Sequence, residues 1–418
     1  MMNKATVPKD WDITTIGTSC DILDYMRIPV KSSDRFERKG DIPYYGANGL
    51  LGWIDDYIYD EELVLIAEDG GYFDEFSNRP IAYMIRGKTW VNNHAHVLRA
   101  RKQIASNHWI FYNLVHRDIQ YYIQGGTRSK LNQSELRNIE VPLPSLPEQR
   151  SIAEILDTID ETIQKTEALI SKLKAMKQGL LHDLLTRGLD KNGKLRDPKA
   201  HPEQFKEWAL GRVPINWEVN RLGKFLARID QGWSPDCDSD PAPQGEWGVL
   251  KTTAVVWEGY RGNENKRLPK AHKPIPFYEV RVDDVLMTRG GPNSRVGVVA
   301  LVHKTQGRLM LSDKIYRLVH NDDVSPAFLT YALSGNRTQR HLSSFKTGMA
   351  ESQTNISQEI VRSLFITVPS KQEQYIIVET LTQYGARIRT EEQYRDKLKL
   401  QKKGLMNDLL TGKVRVRI

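Results

Sequence analysis

The stretch EQRSIAEILDTIDETIQKTEALISKLKAMKQGLLHDLLT, Glu148 to Thr186, has a second copy, EQYIIVETLTQYGARIRTEEQYRDKLKLQKKGLMNDLLT, at Glu373 to Thr411. The copies align without a gap at a constant offset of 225, and 17 of their 39 positions are identical. EQxxIxExL opens each and KLKxxKxGLxxDLLT closes each. A repeat of this length decides the architecture before any shorter motif does, and it predicts a molecule built as two halves. In the first copy Ile152, Ile155, Ile159, Ile163, Ile170, Leu173, Met176, Leu180 and Leu184 recur at gaps of mostly three and four, the pattern of a coiled-coil seam. The second copy carries Ile377, Leu381, Tyr384, Ile388, Tyr394, Leu398, Leu405 and Leu409, and its middle is weaker. A lone helix cannot bury such a seam. We therefore expect an antiparallel pair, with Ile152, Ile159, Ile163, Leu173, Leu180 and Leu184 set against Ile377, Leu381, Ile388, Leu398, Leu405 and Leu409. At ~1.5 Å per residue each helix would be about 55–60 Å long and would act as a spacer.

Working outward, each helix follows a longer block dominated by short strands. The expected division is a first globular domain over 1–147, a central helical repeat over 148–187, a linker over 188–212, a second globular domain over 213–371 and a C-terminal helical repeat over 372–412. The blocks open alike, VPKDWDITTIG (Val7 to Gly17) and VPINWEVNRLG (Val213 to Gly223), and then diverge almost completely. In the first block IPYYGANGLLGWID (Ile42 to Asp55) is turn-punctuated, ELVLIAEDGG (Glu62 to Gly71) is an apolar run ending in a turn, and WVNNHAHVLRA (Trp90 to Ala100) alternates like a strand. Asn107 to Gln124 has helical spacing through Ile110, Leu114, Ile119 and Ile123, and a second short helix is expected around Pro326 to Ser334. The class is α/β (α+β): two globular domains joined by two long helices, with internal pseudo-twofold symmetry.

Composition narrows the function. The 418 residues carry a formal charge of +8, which weakly favours a polyanionic partner such as nucleic acid. Only Cys20 and Cys237 are present and no CxxC occurs, which fits a reducing cytoplasm and argues against a zinc ribbon. With no run of 18 apolar residues, a cytoplasmic protein without membrane attachment is expected.

Searching for chemistry excludes most of it. Gly87-Lys88-Thr89 ends like a P-loop but lacks its leading glycine, and no GxGxxG, HExxH or GxSxG is present. The acidic clusters read as solvated turns. His94 and His96, two apart on a candidate strand, could face one way, but no third ligand is in view and no metal is expected. Asn92, Asn93 and His94 could instead read base edges, or simply close a hydrogen-bonded strand end. GGTRSK, with Arg128, Ser129 and Lys130, and FKTGMAESQTN, with Lys346, occupy equivalent places just before the two long helices. Gly-rich basic loops of this kind suit close approach to phosphates. TRGGPNSR offers Arg289, Asn293 and Arg295, and the basic stretch after Tyr260 adds Arg261. Together these form the candidate DNA-binding set; no catalytic residue is assigned.

The pattern VPLPSLPEQRSIA, opening a helix that closes KQGLLHDLLTRG, resembles the specificity subunit of type I restriction–modification systems. The degenerate second copy, the P-x-x-W openings, and IPYYGANGLLGWIDD, WVNNHAHVL and VLMTRGGPNSRVGVV agree with it across essentially the whole chain. One departure is the second helix, which opens VPSKQEQ and has a polar mid-seam of Glu391, Arg395 and Lys402. The resemblance implies a non-catalytic subunit whose two target-recognition domains each read one half of a split site in double-stranded DNA. It implies paired helices that set the unread gap and dock two modification subunits. S-adenosylmethionine, ATP and Mg2+ would then sit on modification and restriction subunits, with none in this chain. Competing readings are an enzyme in its own right, a coiled-coil scaffold without a DNA role, and a specificity protein of a stand-alone methylation or phage-exclusion system without a restriction subunit.

Overall fold

The computed structural model describes residues 7–125, 129–208, 211–346 and 354–417. Two compact units emerge, one formed by 1–168 with 391–418 and the other by 169–390, so each unit takes part of both repeated helices.

The first unit is built on a four-stranded antiparallel sheet in the order Cys20–Ile22, Ala95–Ala100, Leu63–Ala67, Ala82–Ile85. The Leu63–Ala67 strand reads LVLIA and is buried at every position, as a run covered on both faces must be. A fully buried Leu, Ile or Val side chain contributes about 1.5–3 kcal/mol, so this one strand is a large part of the core. A second sheet, in the order Gly49–Ile54, Ile42–Gly46, Lys88–Val91, Tyr59–Asp60, flanks it. Asp12–Thr15 pairs with Glu140–Leu143, which ties the opening of the unit to the approach of its long helix. Two expectations are corrected here. Trp90 to Ala100 is two strands, not one, because Asn92 to His94 form a turn between Lys88–Val91 and Ala95–Ala100. The helix expected over Asn107 to Gln124 stops at Leu114, and the apolar spacing beyond it is met by a 3-10 turn at Gln120–Tyr122.

The second unit repeats the plan with unrelated residues. Its sheet runs Leu226–Gln231, Ile315–His320, Val285–Thr288, Val299–Leu301, again wholly antiparallel. Glu218–Arg221 pairs with Phe365–Val368 ahead of the second long helix. The helix at Pro326–Ser334 is present as expected, capped by Ser325. Segment 188–212 is tied down: Phe205–Lys206 pairs with Val213–Pro214, and Leu189 is buried in the core.

The long helices span Leu146–Thr186 and Lys371–Leu409. Each starts where a serine hydroxyl accepts from the third residue on, Glu148 N–H to Ser145 Oγ at 3.4 Å and Glu373 N–H to Ser370 Oγ at 3.3 Å. A glycine in the left-handed region follows each, Gly188 (φ +62°) and Gly412 (φ +70°). In the first unit Ile159, Ile163 and Leu398 form a small cluster with Leu405, while Asp160 meets Lys402 at 2.6 Å and Glu167 meets Lys399 at 2.7 Å. Residue numbers rise along one helix as they fall along the other, so the pairing is antiparallel. In the second unit Leu181, Leu184 and Leu185 share a core with Ile377 and Leu381, with Leu180 packed against it. Leu173 and Ile388 are buried. The seam is not continuous, however: Ile155, Met176 and Tyr394, counted in it from their spacing, are exposed. Ile152 and Leu409 lie in the core of the first globular domain rather than in a separate helical seam. The ends of the helices are thus buried in cores shared with the domains, whereas the middle has only the partner helix.

Both helix starts carry the same clamp. In the second unit the Glu373 carboxylate accepts from Trp217 Nε1 (3.1 Å), from Arg196 Nη1 and Nη2 (2.8 and 3.3 Å), and from the Leu189 N–H (2.6 Å). In the first unit Glu148 accepts from Trp11 Nε1 (3.1 Å) and from Arg415 Nε and Nη2 (2.7 and 2.9 Å), and Arg415 also forks onto Asp10. The paired glutamines act alike. Gln149 bonds the Ser106 N–H and the carbonyls of Ile104 and Pro144, and Gln374 bonds the Ser325 N–H and the carbonyls of Asp323 and Pro369.

Candidate nucleic-acid interface

In each unit the buried third strand of the four-stranded sheet order runs out into a turn that meets the loop before the long helix. In the first unit Leu63–Ala67 delivers Glu68, Asp69 and Gly70. The Leu131 N–H bonds the Glu68 carbonyl at 2.7 Å, and Asp69 bridges Lys130 in antiparallel fashion. In the second unit Val285–Thr288 delivers Arg289, Gly290 and Gly291; the Ile356 N–H bonds the Arg289 carbonyl at 2.9 Å, and Gly290 pairs with Asn355. Leu131 and Ile356 are 225 apart, the offset of the helices. Backbone pairing therefore makes Glu68 and Arg289 equivalent positions.

Around the first turn the polar groups form one network. Asn92 is buried and spends its Oδ1 on the His94 N–H (2.8 Å), an Asx turn. Asn93 is exposed, while His94 is half-buried and holds Asp69 at 2.7 Å through Nδ1. Lys130 is exposed and meets Glu68 at 3.1 Å, and Arg27 reaches the same carboxylate at 2.6 Å. Ser129 is half-buried, and Arg128 lies outside the described residues. His96 is fully buried, with Nδ1 at 2.6 Å from Asp24 and Nε2 at 2.8 Å from the Leu131 carbonyl. The histidine pair therefore does not converge: His94 lies in the turn and His96 in the strand, each on its own carboxylate. Burial alone would raise the Asp24 carboxyl. The His96 hydrogen bond and charge, the Val97 N–H and Arg27 outweigh it and hold the group below the usual carboxylate range. Asp24, Glu68 and His96 offer ligand atoms within 4.8 Å of one another, as a metal site would. They do not fit one, because Arg27 and Lys130 already neutralise Glu68, and both His96 nitrogens are engaged.

Around the second turn the charge is reversed. Arg289 donates through Nη1 to the Asp313 carbonyl (3.2 Å), and its guanidinium lies 5.5 Å from the Tyr316 ring centroid. Its buried Nε has no hydrogen-bond partner among the described residues. Tyr316 occupies the place of His96, and its hydroxyl donates to the Ile356 carbonyl at 3.2 Å. Lys346 bonds the Asn293 carbonyl at 3.1 Å, and burial lowers its ammonium below the usual lysine value. Asn293 and Arg295 form an exposed 3-10 turn beside it. Arg289, Asn293, Arg295 and Lys346 are thus brought together. Arg261 is not part of this group; it lies beside the Val255–Val256 and Gly259–Tyr260 hairpin, with Glu258 at 3.8 Å.

Pattern reading missed part of the first surface. The Gly49–Ile54 strand exposes Leu50, Leu51 and Trp53, and a bulge between Tyr44 and Tyr45 leaves Leu51 unpaired. This hairpin is tied to the turn by Asn48 Nδ2 to the Gly70 carbonyl (3.0 Å) and by the Asn92 N–H to the Tyr45 carbonyl (3.0 Å). The glycine bracket at Gly49 and Gly52 was the available signal.

Two units with one backbone plan and unlike side chains on the same loop call for a family that builds readers in pairs. The family model described as the type I restriction modification DNA specificity domain matches residues 8–175 and 215–400. The chain belongs to that family. Among its relatives, the EcoEI type I restriction enzyme specificity subunit of Escherichia coli is 44% identical over 198 residues, which is 47% of this chain and 33% of that protein. The MjaVIII specificity subunit of Methanocaldococcus jannaschii is 24% identical, over 100% of this chain and 96% of its own length. The crystal structure of a type I restriction–modification S subunit from M. genitalium superposes with a TM-score of 0.61 at 14% identity, covering 98% and 97% of the two chains. A chain from a study of complex assembly and conformational transition of the type I R-M system gives 0.53 at 16% identity, covering 98% and 99%. These two likenesses establish the specificity-subunit fold. Among the described residues no helix is long and apolar enough to cross a membrane.

Proposed function

We propose that this chain is the DNA sequence-specificity subunit of a type I restriction–modification complex. The globular part of each unit, within 1–147 and 213–371, reads one half of a bipartite duplex site, and the paired helices set the gap and dock two modification subunits. The observation that carries this reading is the equivalence of Glu68 and Arg289. Two readers hold the same loop by the same backbone bonds but present opposite side chains, as two unlike half-sites require. In the second unit Arg289 and Arg295 suit guanine O6 and N7, with Lys346 placed for a phosphate. In the first, Asn93, His94 and Ser129 form the reading edge, Lys130 is placed for a phosphate, and Arg128 belongs to the same loop. S-adenosylmethionine, ATP and Mg2+ belong on the modification and restriction subunits, and this chain supplies position rather than chemistry. A complex lacking the restriction subunit, as in a stand-alone methylation system, would use the same surfaces.

The test is to express the chain with its modification subunits in a methylation-free host and to sequence the modified adenines. A single bipartite motif with a fixed gap is expected. Methyl transfer by the purified chain alone, or modification without a split motif, would overturn the reading.

A further inference from the structure

The mid-helix seam of the first unit does little to define its own register. In the first unit the seam between domain core and mid-helix consists of Ile159, Ile163, Leu398 and Leu405 plus two partly exposed ion pairs, and Leu400 and Tyr394 face solvent. Ion pairs of that kind contribute little, so sliding one helix along the other costs the seam little. The clamps behave differently. Each takes the first-turn glutamate of one helix, the tryptophan of the domain that precedes it, and an arginine from the segment that follows the other helix. That segment reads GKLR at Gly193 to Arg196 and GKVR at Gly412 to Arg415. A guanidinium fork on a carboxylate accepts one setting, whereas a point charge accepts many.

The close approach is enforced sterically as well. A Cβ at Gly188 would lie 2.4 Å from both Arg196 Nη1 and Glu373 Oε1, and one at Gly412 would lie 2.3 Å from Pro8 Cγ, three residues before Trp11. Glu373 and Glu148 are both buried, so each has a single site in which to meet its arginine.

We infer that Arg196 and Arg415 are positioning residues that fix the longitudinal register of the helix pair, each in its own unit, and so determine the gap length the chain accepts. This rests on the specificity-subunit reading above and adds to it the residues that hold the spacer to one length. The experiment is methylated-motif sequencing with the full chain and its modification subunits, comparing wild type with Arg196→Ala, Arg415→Ala, Arg196→Lys and Arg415→Lys. Wild type should give one gap. The alanine variants should keep both half-sites yet also modify sites whose gap differs by one base pair, at roughly a tenth or more of the native level. The lysine variants keep the charge, lose the fork, and should show a smaller spread. If an alanine variant fails to accumulate, the lysine variant at that position is the readout. A folded variant that modifies fewer sites but keeps the single native gap would overturn the proposal, because a merely structural residue would behave that way. A wild-type chain that gives no bipartite motif would instead overturn the underlying function.

Discussion

The turns at Glu68 and Arg289 hold the same place in their units and could hardly differ more in chemistry. Glu68 gathers Arg27 and Lys130 into a closed ionic network, whereas the Arg289 Nε has no hydrogen-bond partner among the described residues. Their surroundings follow suit: residues 1–147 carry 17 Lys and Arg against 19 Asp and Glu, and residues 213–371 carry 21 against 16. The frame is set by main-chain bonds that any side chain permits, so the side chains on it are free to diverge. The second unit should therefore supply most of the salt-sensitive affinity for DNA, and the first should rely more on shape and directed hydrogen bonds.

The largest effect should come from breaking what the units share. Glu373→Ala strands buried Arg196 and leaves Trp217 Nε1 unmet, and should destabilise the second unit by about 3–5 kcal/mol in a urea titration. Glu148→Ala should cost less, because Arg415 is partly exposed and keeps Asp10; equal losses would mean that the two clamps are equivalent.

Next comes what they do not share. Arg289→Ala should weaken binding to the second half-site by about 1–3 kcal/mol and relax the base preference there, whereas Lys130→Ala should weaken binding evenly and lower the salt slope by about one. The measurement is affinity against salt on duplexes with each half-site altered, and equal behaviour of the two variants would erase the contrast.

Acid should separate the anchors of the two loops. The Asp24 carboxyl is held below its unfolded value of about 3.9, so its contribution is present above ~pH 4 and is lost as pH falls through the folded value. Burial raises the Tyr316 hydroxyl, which stays neutral and donating throughout. Hydrogen exchange at the Leu131 amide should accelerate with acid before exchange at Ile356 does. The smallest effect is expected from Tyr316→Phe, about 1 kcal/mol for the lost bond to the Ile356 carbonyl, read from the same exchange measurement.

Much of this was legible from the repeat. Identical residues at a fixed offset announced two halves and both helices. The short helix at Pro326–Ser334 is present as its spacing predicts. Spacing failed where a third body competes for the same face. Ile155 and Met176 have the period of a seam but are exposed, and Ile152 has a partner supplied by the globular core. The helix over Asn107–Gln124 was overrun because apolar residues in a 3-10 turn can keep a helical period. Of the two readings of Asn92, a base contact or a hydrogen-bonded strand end, its Oδ1 accepting from the His94 N–H fits the second. The clamps were invisible because Trp11, Glu148 and Arg415 are separated by more than a hundred residues at each step.

One consequence concerns synthesis. The second unit is a continuous stretch of chain, from 169 to 390, and can close as soon as its last helix segment emerges. The first unit needs residues beyond 390, including Arg415, and so cannot be completed when its own domain leaves the ribosome. The usual N-to-C order of domain maturation is inverted here. Until residues 391–415 have been made, Glu148 lacks Arg415, and Ile159 and Ile163 lack Leu398. That nascent interval is when the first domain is most exposed to proteolysis and mispairing.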